Sequence, residues 1–151
     1  MTEIWFYHLQ RQRLESALPA LLEKALERGW RAVVQAVTEE RLQALDEILW
    51  TYADDSFLGH GRGADGDPDL QPIWLTSGDD NPNGAAIRFF VEGADPTHAA
   101  QADYQRAVVL FDDHDEKQVL SARDWWRALR EQGASLAYWR QDEDGRWRKT
   151  A

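Results

Sequence analysis

Apolar and polar positions along this chain change period block by block. Residues 3–8 read Glu-Ile-Trp-Phe-Tyr-His, an aromatic-rich run that predicts an opening strand. From 14 to 28, Leu14, Ala17, Leu18, Leu21, Leu22, Ala25 and Leu26 recur three and four apart, which predicts a helix stopped by Gly29. Residues 30–37, centred on Ala32-Val33-Val34, predict a second strand. Thr38 then predicts an N-cap, with Glu39, Glu40 and Arg41 opening a second helix to about Tyr52. Its apolar face is Leu42, Leu45, Ile48 and Leu49. Strand–helix–strand–helix alternation predicts βαβ units and a largely parallel sheet.

The second half is more broken. Residues 59–69, rich in Gly and Asp, argue against regular structure, while 72–75 and 85–91 predict strands around a polar turn at 77–84. A short connector with some helical character follows at 97–105, then a strand at 107–111 and a long helix at 115–132 stopped by Gly133. Residues 135–141 and 146–149 flank Asp144-Gly145, a hairpin turn signal. No internal repeat occurs. The expectation is one α/β domain over 1–151, with a mostly parallel central sheet flanked by helices.

Composition narrows the function. A domain of 151 residues buries roughly 68–70% of the surface of its unfolded chain, enough for a core without staples. The chain has no cysteine, which removes disulfides, thiolate metal sites and a Cys nucleophile, and fits a reducing cytosol. The start at Met1-Thr2-Glu3 has no basic segment followed by an apolar one, and no window approaches a membrane span. A soluble, cytoplasmic protein without membrane association is expected. Lys and Arg number 17 against 27 Asp and Glu, a net charge of −10. Broad nucleic-acid binding needs a dense basic footprint, so direct contact with nucleic acid is not expected. Eight tryptophans are many for this length, and indoles serve either a core or a docking surface. Trp5, Trp30 and Trp74 are expected in the core, whereas Trp125, Trp139 and Trp147 have no assignment.

Motifs that carry chemistry are sparse. Gly61-Arg62-Gly63-Ala64-Asp65-Gly66 has the glycine spacing of a dinucleotide loop, but it follows the second helix and runs into Asp-Gly-Asp-Pro-Asp. The turn after the first strand, where such a loop belongs, reads His8-Leu9-Gln10-Arg11-Gln12-Arg13 and has no glycine. The expected fold is therefore Rossmann-like without a nucleotide-binding glycine loop. Asp65, Asp67 and Asp69 alternate like the opening of a calcium loop, yet Leu70 and Thr76 stand where Gly and Glu are required. The acidic run 112–116 suits a helix N-terminus. His8, His60, His98 and His114 lack metal-ligand spacing, and no nucleophile elbow occurs. No catalytic residue, metal or cofactor is assigned.

The most informative segment is the last helix. Arg123, Trp126, Arg127 and Arg130 are spaced i, i+3, i+4 and i+7 and share a helical face. Guanidiniums around an indole suit an anionic peptide end, with arginines holding carboxylates and the ring holding an apolar side chain. From Arg123 to Lys149 there are seven basic and five acidic residues, a local reversal of the overall charge. An ordinary solvated helix face accounts for these residues equally well. A second cluster, Trp50, Tyr52, Phe57 and Leu58, crowds a helix exit, where exposed apolar residues mark partner surfaces.

Leu45-Asp46-Glu47-Ile48-Leu49-Trp50, followed by Ser56-Phe57 and His60, resembles the central motif of the chi subunit of bacterial DNA polymerase III holoenzyme. Trp5-Phe6-Tyr7 is similar to that family's first strand, and Ala107-Val108-Val109-Leu110-Phe111 through the Arg-rich helix follows its last third. The resemblance implies a non-enzymatic subunit of the clamp-loader complex in DNA replication. It would bridge the psi subunit and the acidic C-terminal tail of single-stranded-DNA-binding protein, which ends in Ile-Pro-Phe. Position by position it puts Arg123, Trp126, Arg127 and Arg130 at the tail and Trp50 and Phe57 at psi, with a helicase as a further candidate for that second surface. Asp79 and Asp80 stand where relatives can be basic, and the chain extends through Arg146-Trp147-Arg148. A small nucleotide-dependent enzyme and an acidic scaffold or DNA mimic are the competing readings.

Overall fold

The computed structural model describes residues 2–51, 60–62, 71–99 and 102–151, with the backbone alone at 50, 51 and 60–62. The aromatic run at the start forms β1 (Glu3–Leu9), and the periodic leucines form α1 (Leu14–Glu27). β2 (Ala32–Gln35), α2 (Glu39–Thr51), β3 (His60–Arg62), β4 (Ile73–Thr76) and β5 (Ile87–Val91) follow. β6 (Arg106–Asp112), α3 (Glu116–Glu131), β7 (Ser135–Gln141) and β8 (Trp147–Lys149) complete the order. The eight strands make one sheet, β3-β4-β2-β5-β6-β1-β7-β8. Every neighbouring pair is parallel except the β7–β8 hairpin, in agreement with the expected mostly parallel α/β plan.

Local chemistry explains the boundaries. Thr38 Oγ1 accepts from the Arg41 amide at 3.2 Å, the expected cap of α2. Asp115 caps α3, its Oδ1 accepting from the Lys117 and Gln118 amides at 3.0 and 3.2 Å. The hairpin turns at Gly145, whose φ of 78° lies in the left-handed region that glycine enters without steric cost. One expectation is corrected: the Gly/Asp-rich stretch does contain a strand, since His60–Arg62 pairs in parallel with β4. An edge strand needs only its backbone to pair, and Gly61 stands in register with Trp74, a position that requires no side chain of its own. Residues 63–70, which include the three alternating aspartates, lie outside the described residues.

Alternation along β1 builds two cores. Tyr7 and Leu9 join one cluster with Leu18 and Leu22 of α1, Leu42, Leu45 and Leu49 of α2, and Trp5 packs against it. Ile4 and Phe6 face the other way, into a cluster with Ala122 and Leu129 of α3. Three helices cannot cover both faces of an eight-stranded sheet, and α3 packs over β1, β6 and β7. Over β2, β4 and β5 that face is closed by the 77–84 turn and Tyr104.

Arg88 holds this closure together. It is 2% exposed and donates to Gln35 Oε1 (2.8 and 3.0 Å), the Gly78 and Asp80 carbonyls (2.7 and 2.8 Å) and the Tyr104 hydroxyl (3.1 Å). The Asp80 carboxylate accepts from Trp74 Nε1 at 3.0 Å and from the Thr76 hydroxyl. Burial pushes the Asp80 carboxyl up, but the hydrogen bonds from Thr76 and Trp74 outweigh it and leave it below the usual carboxylate range. Asp80 is thus part of the turn's framework. Among the described residues, no helix is long and apolar enough to cross a membrane. Arg88→Leu leaves the Gly78 and Asp80 carbonyls unpaired, and urea unfolding should show a loss of about 3 kcal/mol.

Candidate functional site

On the α3 face of the sheet, β1, β6, β7 and α3 enclose a concavity of about 580 Å³. Phe111 and His8 form its floor, Val119, Ala122 and Trp126 one wall, and Tyr138 the other. Arg123, Arg127 and Arg140 stand around the mouth, all exposed. Trp126 is half-buried and meets Phe6 (5.3 Å, 77°) and Tyr138 (5.8 Å, 81°) edge to face, an arrangement that fixes the indole. Arg140 lies 5.3 Å over the Tyr138 ring. No Asp or Glu side chain lines the pocket among the described residues, and none of the three arginines has an ion pair there.

The helical spacing that suggested a shared face therefore brings Arg123, Trp126 and Arg127 into one site. Arg130 is exposed one turn further along α3 and is not among the lining residues. Trp50 lies in α2, but its side chain and all of Phe57 are outside the described residues. Of the unassigned indoles, Trp125 packs on the α3 core, while Trp139 and Trp147 pack on the opposite face. Trp74 is buried as expected, and Trp5 and Trp30 are only partly so.

His8, Phe111 and Tyr138 were not singled out as site residues from the sequence. The available signal was register: Ile4, Phe6 and His8 alternate on one face of β1, so His8 shares the side on which Phe6 meets Trp126. Its imidazole is 6% exposed and stacks on Phe111 at 4.6 Å. Nε2 is 2.6 Å from Asp113 Oδ1, and Nδ1 is 2.8 Å from the Tyr138 hydroxyl. An ionised carboxylate only accepts, so Nε2 carries the hydrogen and Nδ1 accepts from Tyr138. Burial lowers the His8 pKa below its ordinary value of 6.5, and the Asp113 bond and charge only partly oppose it. Burial likewise raises the Tyr138 hydroxyl, with Arg140 opposing.

A depressed histidine pKa has a definite sign in stability. Between pH 6.5 and the lower folded value, the unfolded chain binds the proton and the folded chain does not. Stability conferred by neutral His8 is fully present above pH 6.5 and declines as the pH falls through that window. Urea unfolding across this range should show the decline in the native chain and a flatter profile in His8→Asn.

The chain matches the family described as DNA polymerase III chi subunit, HolC, over residues 1–137. It is 26% identical over 117 residues to a probable DNA polymerase III subunit chi from Rickettsia prowazekii (strain Madrid E), covering 74% of this chain and 71% of that protein. The matched region takes in β1, α1, the Arg88 framework and the whole of α3, so the chain belongs to the DNA polymerase III chi subunit family.

Proposed function

We propose that this chain is a non-catalytic accessory subunit of the polymerase III clamp-loader complex that binds the acidic C-terminal tail of single-stranded-DNA-binding protein and, on another surface, the psi subunit. The observation that carries the tail half is the pocket with an aromatic floor and, at its mouth, three arginines without an ion pair among the described residues. A terminal phenylalanine ring fits against Trp126, Phe111 and Tyr138, and its carboxylate meets Arg123 or Arg127 in charge-assisted bonds. Aspartates upstream then meet Arg140 and, farther along α3, Arg130.

An interface this small implies micromolar binding, about −8 kcal/mol, weakened by salt. The test is titration of a labelled tail peptide. Arg127→Ala should weaken binding about tenfold or more, the scale of one hydrogen bond to a charged group, and Trp126→Ala should act at least as strongly. Unchanged affinity in both variants rejects the tail assignment. The psi half rests on the family resemblance of Trp50 and Phe57. Phe57→Ala should abolish co-purification with psi while tail affinity stays at the native value, whereas retained psi binding rejects it.

A further inference from the structure

The opposite face of the sheet carries a second cavity, of about 560 Å³, where α1 ends and β2 and β6 begin. Its walls hold half of the chain's eight tryptophans: Trp5, Trp30, Trp139 and Trp147. Its charged lining is Lys24, Arg28, Arg106 and Arg146, without a single Asp or Glu among the described residues. In a chain with 27 acidic and 17 basic residues, an all-cationic lining is the reverse of the background. None of the four has an ion pair among the described residues; the nearest carboxylate in effect is Glu3, which favours the Arg106 charge from outside the lining.

Rings hold two of these cations, Arg28 and Arg106, in place. The Arg106 guanidinium lies 3.5 Å over Trp5 and 5.4 Å from Trp30, and Arg28 lies 5.2 Å over the same Trp30. A ring face orients a guanidinium without neutralising it. The Arg28 and Arg106 charges repel, an unfavourable term that an anion between them would reverse. Arg106 Nε and Trp139 Nε1 are buried without an acceptor, so this wall is short of acceptors as well as of negative charge. Trp147 stacks on Tyr7 by one face (4.7 Å, 20°) and is half-buried; no other ring or cation covers its second face among the described residues.

We propose that this cavity is a binding site for a nucleotide unit, its base stacked on Trp147 and its phosphate held by Arg28, Arg106 and Arg146. Its volume falls in the range of small-ligand sites. Indole stacking tolerates any base, and guanidiniums match phosphate geometry. The unit comes either as a free nucleotide or as part of a single strand, and both present the same ring and phosphate. The site does not conflict with the chain's negative charge, because one nucleotide needs a local set of cations rather than a basic face. It lies across the sheet from the pocket of Arg123 and Arg127.

The test is a tryptophan-fluorescence titration of the full chain with thymidine monophosphate and, separately, with oligothymidylate. Saturable quenching by the mononucleotide supports the proposal with the free nucleotide as source, and quenching by the oligomer alone supports it with the strand as source. The double variant Arg28→Glu/Arg146→Glu, at two exposed positions, should weaken the response about tenfold or more, and Trp147→Leu should remove most of the quench. Arg127→Ala, in the other pocket, should leave it unchanged. No saturable quenching by either probe, or quenching that survives the charge reversal, overturns the proposal. So does a cavity that takes an acidic, phenylalanine-ended peptide in an Arg28-dependent way but no nucleotide.

Discussion

Strand β1 is the constraint on which the rest of the structure depends. It pairs in parallel with β6 on one side and β7 on the other, with Phe6 in register with Val109 and Tyr138. Because side chains alternate, this register sends Trp5 and Tyr7 to the α1 face and Phe6 and His8 to the α3 face. A slip of one residue would exchange every one of them. Both cavities, one on each face, are therefore set by the same seven-residue strand.

The acidic average of the chain hides a segregation of charge. Arginines gather around aromatic rings on both faces, Arg140 over Tyr138 and Arg106 over Trp5. Acidic groups near these sites have structural partners instead: Asp113 binds His8, and Asp142 pairs with Arg148 and accepts from the Arg146 amide. Burial pushes the hydroxyl of Tyr7, whose ring stacks on Trp147, up to about 12. The cations lining the two cavities have no ion pair among the described residues.

Most of the fold was legible because periodicity reports burial. The α1 leucines, the Thr38 and Asp115 caps and the Asp144-Gly145 turn are local signals, and the elements they mark sit within a few residues of expectation. β3 was not legible, since parallel pairing of His60–Arg62 is decided by the distant edge of β4 rather than by its own composition. The same distinction divides the α3 pocket. Arg123, Trp126 and Arg127 sit on one helix and are related by spacing alone, whereas His8, Phe111 and Tyr138 meet only because β1, β6 and β7 are neighbours. Arg130 shows the converse: a helical stripe extends beyond the concavity it borders.

Among the described residues, the two outer strands of the sheet, β3 and β8, are each three residues long. A short edge offers few free backbone donors and acceptors, so an incoming chain gains little by adding itself as a further strand. Sequence-independent main-chain pairing is thereby a poor route onto the β8 edge. Rings and guanidiniums on the two faces offer the alternative, contacts that depend on the shape and charge of a ligand and weaken as ionic strength rises.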